Sequence, residues 1–318
     1  MPDVQLGGRA PGRLRRVRIA LGLAWLVDAA LQLQPSMFGR GFVTGVLAPA
    51  AAGQPGIVGR PMVAVDHLAG AHPVVVDVVA ALVQAAIGVG LIPDATARPA
   101  LAASLAWAGG VWWFGEGFGG LLTGSASPLT GAPGAAALYG LVAVLVRPTL
   151  ARVTGSRLVR GTWAVLWAGT GLLWLQPAVR APGATRDALA TAAPGGPGWL
   201  AWPARALSDA ARGHGLVVAL VGALAGLAVG FGVLVPRWRR VALAAGSVVA
   251  LAMWATGQAF GGVLTGTATD LQTGPLVVLV ALAAAARLEP GGAVARQPAP
   301  PERAEPTVRS PLPARTAA

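Results

Sequence analysis

Phe118-Gly119-Gly120-Leu121-Leu122-Thr123-Gly124 returns, 142 positions later, as Phe260-Gly261-Gly262-Val263-Leu264-Thr265-Gly266. With no gap, the same offset carries Trp25 onto Trp167, Gln34-Pro35 onto Gln176-Pro177, and Pro55-Gly56 onto Pro197-Gly198. It also carries His72 onto His214, Gly88 and Gly90 onto Gly230 and Gly232, Arg98 onto Arg240, and Trp112 onto Trp254. An offset that holds from Trp25 to Leu129 is not a coincidence of composition, and a repeat must be recognised before any fold is assigned. It also separates residues kept in both copies from residues kept in one.

Hydrophobic residues fill 55% of the 318 positions and charged residues only 11%, with a mean hydropathy of +0.64. A soluble domain carries about a quarter charged residues, so the composition predicts a membrane protein. The formal charge of +12 comes from arginine, since the chain has no lysine. The arginines alternate with apolar runs and build no basic face, which excludes a nucleic-acid-binding surface. The absence of cysteine excludes disulfides, thiolate metal sites and thiol redox chemistry. Basic residues followed by an apolar run open the chain as a signal peptide would. The equivalent run of the second copy is internal, and no small-residue cleavage site follows the first, so it reads as a retained helix.

Crossing the hydrocarbon core takes about 20 apolar residues. The candidates are 19–35, 73–92, 100–123 and 134–147 in the first copy, and 161–177, 215–235, 241–264 and 275–288 in the second. Only helices satisfy their own backbone in lipid over such runs. The predicted fold class is therefore all-α: a polytopic membrane protein with eight transmembrane helices in two parallel four-helix repeats. Eighteen arginines fall on the side that holds both termini and six on the other, which puts both termini in the cytoplasm. Four helices per copy is an even number, so the copies share one orientation about an axis along the membrane normal.

The predicted organisation is a basic N-terminus (1–18), a first repeat (19–148), a linker (149–160), a second repeat (161–288) and a tail (289–318). The tail is rich in Pro, Ala and Arg and cannot build a core. Two outer segments, 36–72 and 178–214, are too polar to span; each is expected to carry a surface helix, Pro61–Leu68 and Pro203–Ala211.

The repeated glycine-rich element is expected at the outer end of the third helix of each copy. The run that follows it, 134–147, is about 21 Å long as a helix, short of a core of about 30 Å. Short, Gly/Pro-interrupted segments at matching places point to a binding site in transporters. The alternative is a tight turn whose glycines permit close packing and whose hydroxyls cap the next helix.

Three carboxylates, Asp28, Asp77 and Glu116, lie in or near spans of the first copy; the same offset gives Thr170, Ala219 and Gln258. A carboxylate at the centre of a span is costly and faces a cavity or a partner. Charge-linked chemistry is therefore expected in the first half. The candidate cavity residues are Asp28, Gln34, Glu116, Thr123, Gln176, Gln258 and Thr265. His72 and His214, kept in both copies, are candidate ligands for a haem or metal between the halves, or else polar anchors at helix starts. The eleven tryptophans read mostly as interfacial anchors. No P-loop, dinucleotide fingerprint, nucleophile elbow or HExxH motif is present.

Each copy resembles the DoxX-like group of small four-helix bacterial membrane proteins. The resemblance rests on the helix start after an arginine cluster, and on Gly88-Val89-Gly90-Leu91 leading to Thr96-Ala97-Arg98, with Gly230-Phe231-Gly232-Val233 and Arg240 in the second copy. It covers about 25–150 and 165–288 and implies a tandem-duplicated relative, of an actinobacterial type, in the plasma membrane. It also implies a link to quinone-coupled sulfur oxidation or membrane redox complexes; the cofactor is left unknown, with quinone, or haem at the histidine pair, as candidates. The reading adopted from sequence is a non-catalytic subunit or scaffold of a membrane complex, with the lipid bilayer and other membrane subunits as partners. The alternative is a transporter or small-molecule-binding protein with an outward-facing cavity between the repeats.

Overall fold

The computed structural model describes residues 10–147, 156–192 and 198–288, and every regular element among them is helical. The tail 289–318, the first nine residues and most of the linker lie outside the described residues, as does Pro197.

The first apolar run forms α1 (Ala10–Gln32), which starts inside the arginine cluster. Three short pieces follow, Arg40–Phe42, the π-helix Val43–Leu47 and Ala48–Ala51, and together make one bent segment, α2. Next come α3 (Gly56–Ala71), α4 (Pro73–Leu91), α5 (Ala97–Phe114) and α6 (Ala135–Val146). The later part of the chain forms α7 (Ser156–Leu173), α8 (Ala184–Ala192), α9 (Gly198–Ala210), α10 (Gly215–Gly232), α11 (Arg239–Gly257) and α12 (Thr273–Leu288).

Several boundaries differ from the sequence reading. The runs 100–123 and 241–264 stop being α-helical at Phe114 and Gly257, because left-handed residues follow: Gly117, Phe118 and Gly119, and then Ala259, Phe260 and Gly261. The outer helices are longer than expected, and Pro61 and Pro203 sit inside them. Each proline lies in the second turn, where its missing N–H breaks a single ladder bond close to the helix start.

Polar bonds at helix ends show how neighbours run. Arg15 and Arg18 at the start of α1 pair with Asp94 just beyond α4, and Arg18 also donates to the Ile92 carbonyl. Arg239 at the start of α11 reaches the last carbonyl of α12, and Arg287 donates to the carbonyls of Leu145 and Arg147 at the end of α6. α1 and α4, and α11 and α12, are therefore antiparallel, whereas α6 and α12, whose C-terminal ends meet, run parallel. The glycines explain the closest pairs. A Cβ on Gly88 of α4 would stand 2.8 Å from the Gly22 carbonyl oxygen of α1, and one on Gly226 of α10 would stand 2.6 Å from the Cα of Gly171 in α7. Without side chains at these positions the backbones nearly touch, as small residues allow in membrane bundles.

At the centre lie α6 and α12, buried along most of their length and packed against each other, α1 and α7. Their surroundings are protein, so their length does not have to match a bilayer. Among the described residues, three helices, Pro73–Leu91, Gly215–Gly232 and Arg239–Gly257, are long and apolar enough to cross a membrane. Valines and leucines cover the outward faces of the first two, among them Val75, Val79 and Leu82, and Val217, Val221 and Leu224. Water-soluble proteins rarely expose contiguous apolar patches of this kind, and the pattern fits a membrane protein.

Candidate binding cavity

The turn after α5 is set by Phe118, whose φ of 55° is rare for a residue with a side chain. Its ring packs edge-on against Trp112, with centroids 5.0 Å apart. Phe260 repeats the arrangement with φ 57° and Trp254 at 5.2 Å. The indole N–H of Trp112 donates to the Pro133 carbonyl (2.7 Å), and that of Trp254 to the Leu271 carbonyl (2.9 Å). Thr123 bonds the Gly120 carbonyl and Ser125, and Thr265 bonds the Gly262 carbonyl and Thr267. The two threonines are thus internal pins of their loops.

The turn also aims Glu116. One of its oxygens accepts the Ala136 N–H (2.9 Å) and so caps α6; the other is buried with no partner. Gln258 at the equivalent position is fully engaged as an acceptor, taking both the N–H and the hydroxyl of Thr273 at the start of α12.

Glu116 lines a cavity of about 370 Å³ between α1, α4 and α5, covered by α2 and by Thr269, Asp270 and Gln272. Asp28 and Asp77 line the same space, each only 1% exposed. A fourth carboxylate comes from the second half: Asp270, in the loop before α12. Asp28 accepts the Leu271 N–H (3.2 Å), and the Tyr139 hydroxyl faces it from α6. Burial pushes the Asp270 carboxyl above the ordinary range, against the Thr269 hydroxyl and Gln272 N–H that hold it down. Gln32 and Gln84, both buried, and the rings of Trp25, Trp107, Phe42 and Phe114 complete the walls that matter chemically. Among the described residues, no lysine, arginine or histidine lines this space.

The other expected site residues lie elsewhere. Gln258 and Thr265 line a more open hollow of about 550 Å³, which shares only Val46, Thr269 and Gln272 with the cavity. Gln34 and Gln176 are braces: Gln34 donates to the Ala268 carbonyl (3.0 Å) and Gln176 to the Ala126 carbonyl (3.4 Å), each reaching into the other half. His72 and His214 precede α4 and α10, are exposed, and line neither cavity. No group of three or more His, Cys, Asp or Glu among the described residues converges tightly enough to hold a metal ion.

At the equivalent place in the second half lies a smaller hollow of about 270 Å³, lined by Leu129, Trp174 and Val179 and by no carboxylate. The positions of Gln32 and Ala80 are taken by Trp174 and Gly222, and the Trp174 ring lies where a Gly222 side chain would begin, 2.6 Å from its Cβ position. Ala219, in the place of Asp77, is fully buried and joins Trp174, Leu129, Val179, Leu189 and Ala223 in an apolar cluster. The place of Asp77 is thus acidic in one half and apolar in the other.

Sequence reasoning missed Gln32, Gln84, Tyr139 and Asp270. For the first three a signal existed, since their counterparts are Trp174, Gly226 and Ala281. Asp270 replaces Pro128 and belongs to the other half, so comparing carboxylates of the first copy with the second did not find it. No protein-family model matches the chain, and no curated protein or solved structure matches it either.

Proposed function

We propose that this chain is a multi-pass membrane protein that binds a small molecule in the cavity at Asp28, Asp77, Glu116 and Asp270, as a binding protein or transporter. The observation that carries the reading is the cavity itself: its volume lies within the range of about 300–1,000 Å³ of small-molecule sites, and its walls are mostly apolar with a few polar groups converging. In this reading eight helices span the membrane as two parallel repeats, both termini are cytoplasmic, and the cavity opens under α2 toward the outer side. The arginine distribution supports that orientation. The scaffold role expected from sequence is supported by the apolar outer face of α10, which suits lipid or another membrane subunit. The DoxX-like resemblance would add a quinone to the possible occupants.

The test is native mass spectrometry of the full chain, beside a double variant, Gln32→Trp with Ala80→Gly, that copies the second half. A small-molecule adduct on the wild type that the variant loses supports the reading, and the mass identifies a quinone if it is one. A wild type that carries no adduct and takes up none from a small-molecule panel overturns it.

A further inference from the structure

Resting on the binding reading above, we infer that the occupant is a small organic cation, a protonated amine bearing an apolar group. The cavity wall is short of donors. Both oxygens of Asp77, the free oxygen of Glu116, and the carbonyl oxygens of Gln32 and Gln84 are buried without a partner. Against these five acceptor oxygens stand two unpartnered donors, the indole N–H of Trp107 and the hydroxyl of Tyr139, the latter facing Asp28. A buried acceptor left unmatched costs free energy, more when charged. An ammonium group supplies up to three N–H donors and the opposite charge together.

Asp77 and Gln84 sit one above the other on α4, seven residues or two turns apart, with the carboxylates of Asp28 and Glu116 also on the wall. Carboxylates spread around a space of this size suit a distributed organic cation, whereas a metal needs ligands that converge, and these do not. The rings of Trp25, Trp107 and Phe114 supply the second half of the recognition, because aromatic faces attract desolvated ammonium groups. The second half is the internal contrast. Where Asp77 and Gln84 give way to Ala219 and Gly226, the space is narrowed by Trp174.

The experiment is calorimetric titration of the full chain in lipid nanodiscs with benzylamine, phenethylamine and tetramethylammonium, against the near-isosteric benzyl alcohol and benzoate. At least one cation is expected to bind tenfold or more tightly than benzyl alcohol, with benzoate silent. Asp77→Asn should lower that affinity about tenfold and leave benzyl alcohol unchanged. Cations and alcohol binding alike, or an Asp77→Asn variant that binds the cation as the wild type does, would overturn the cation assignment while leaving the cavity a binding site. If no cation binds, the cation assignment falls, and the binding reading falls with it only if the wild type also carries no adduct and takes up none from the small-molecule panel.

Discussion

Replacing Gly88 by alanine tests how closely α1 and α4 must approach. The new methyl carbon would stand 2.8 Å from the Gly22 carbonyl oxygen and 2.7 Å from the Cγ of Leu26. The leucine can turn aside, but the carbonyl belongs to the α1 backbone. Restoring an ordinary contact of 3.4 Å requires the helices to part by about 0.6 Å along that line. Overpacking of this kind costs about 1–3 kcal/mol, and the better helix propensity of alanine returns about 0.5–1 kcal/mol. A net loss of roughly 1–2 kcal/mol remains, or about 2–4 °C of apparent melting temperature at about 2 °C per kcal/mol for a chain of this size. The control is Gly109 in α5, exposed and with nothing within 4 Å of its Cβ position. There alanine gains propensity alone and should raise the melting temperature by about 1–2 °C. The assay is the intrinsic tryptophan fluorescence melt of the purified protein in detergent. A Gly88→Ala variant melting at or above the wild type, or a Gly109→Ala variant as damaged as Gly88→Ala, would refute the close-approach argument.

Glu116→Ala should cost about 1 kcal/mol by removing the acceptor of the Ala136 N–H, whereas Glu116→Gln should melt near the wild type because its side-chain oxygen still caps α6. Gln34→Ala should destabilise more than Gln176→Ala, since its bond to the opposite loop is 3.0 Å against 3.4 Å; equal melting temperatures would show that the braces are idle. Hydrogen bonds from Arg18 and then Arg15 hold the exposed Asp94 carboxyl below the ordinary range. A lowered folded pKa means that the stability is present above the unfolded value, about 3.9, and fades as pH falls through the folded one. Asp94→Asn should therefore melt slightly below the wild type at pH 7 and converge with it in strong acid. A gap that widens on acidification would contradict the pairing.

The offset between copies made much of this fold readable, because apolar runs bounded by arginine, glycine and proline carry their own length signals. The starts of α4 and α10, and the ends of α6 and α12, fall within a residue of the expected runs. What sequence did not convey was where helices end in left-handed turns. A phenylalanine at positive φ has no local signature, and Phe118 holds it only because Trp112 packs against it. Of the candidate site, Asp28 and Glu116 were legible because each lost its charge in the other copy. Asp270 was not, since its place beside Asp28 depends on the Leu271 N–H bond, which spans 243 residues of chain. The cavity follows from exchanges such as Gln32 for Trp174, a difference of side-chain volume that a hydropathy pattern does not record.

The two glutamine braces bear on how such a chain arises. Gln34 closes on the loop that follows α11, and Gln176 on the loop that follows α5, so neither brace is made within its own half. A shorter ancestor bearing one glutamine and one loop would have held both groups with nothing to join. Two of its molecules side by side would complete each other. A fusion of two such molecules would keep the joint and release the halves from being identical, a freedom that would let Asp77 and Gln84 stand in one where Ala219 and Gly226 stand in the other.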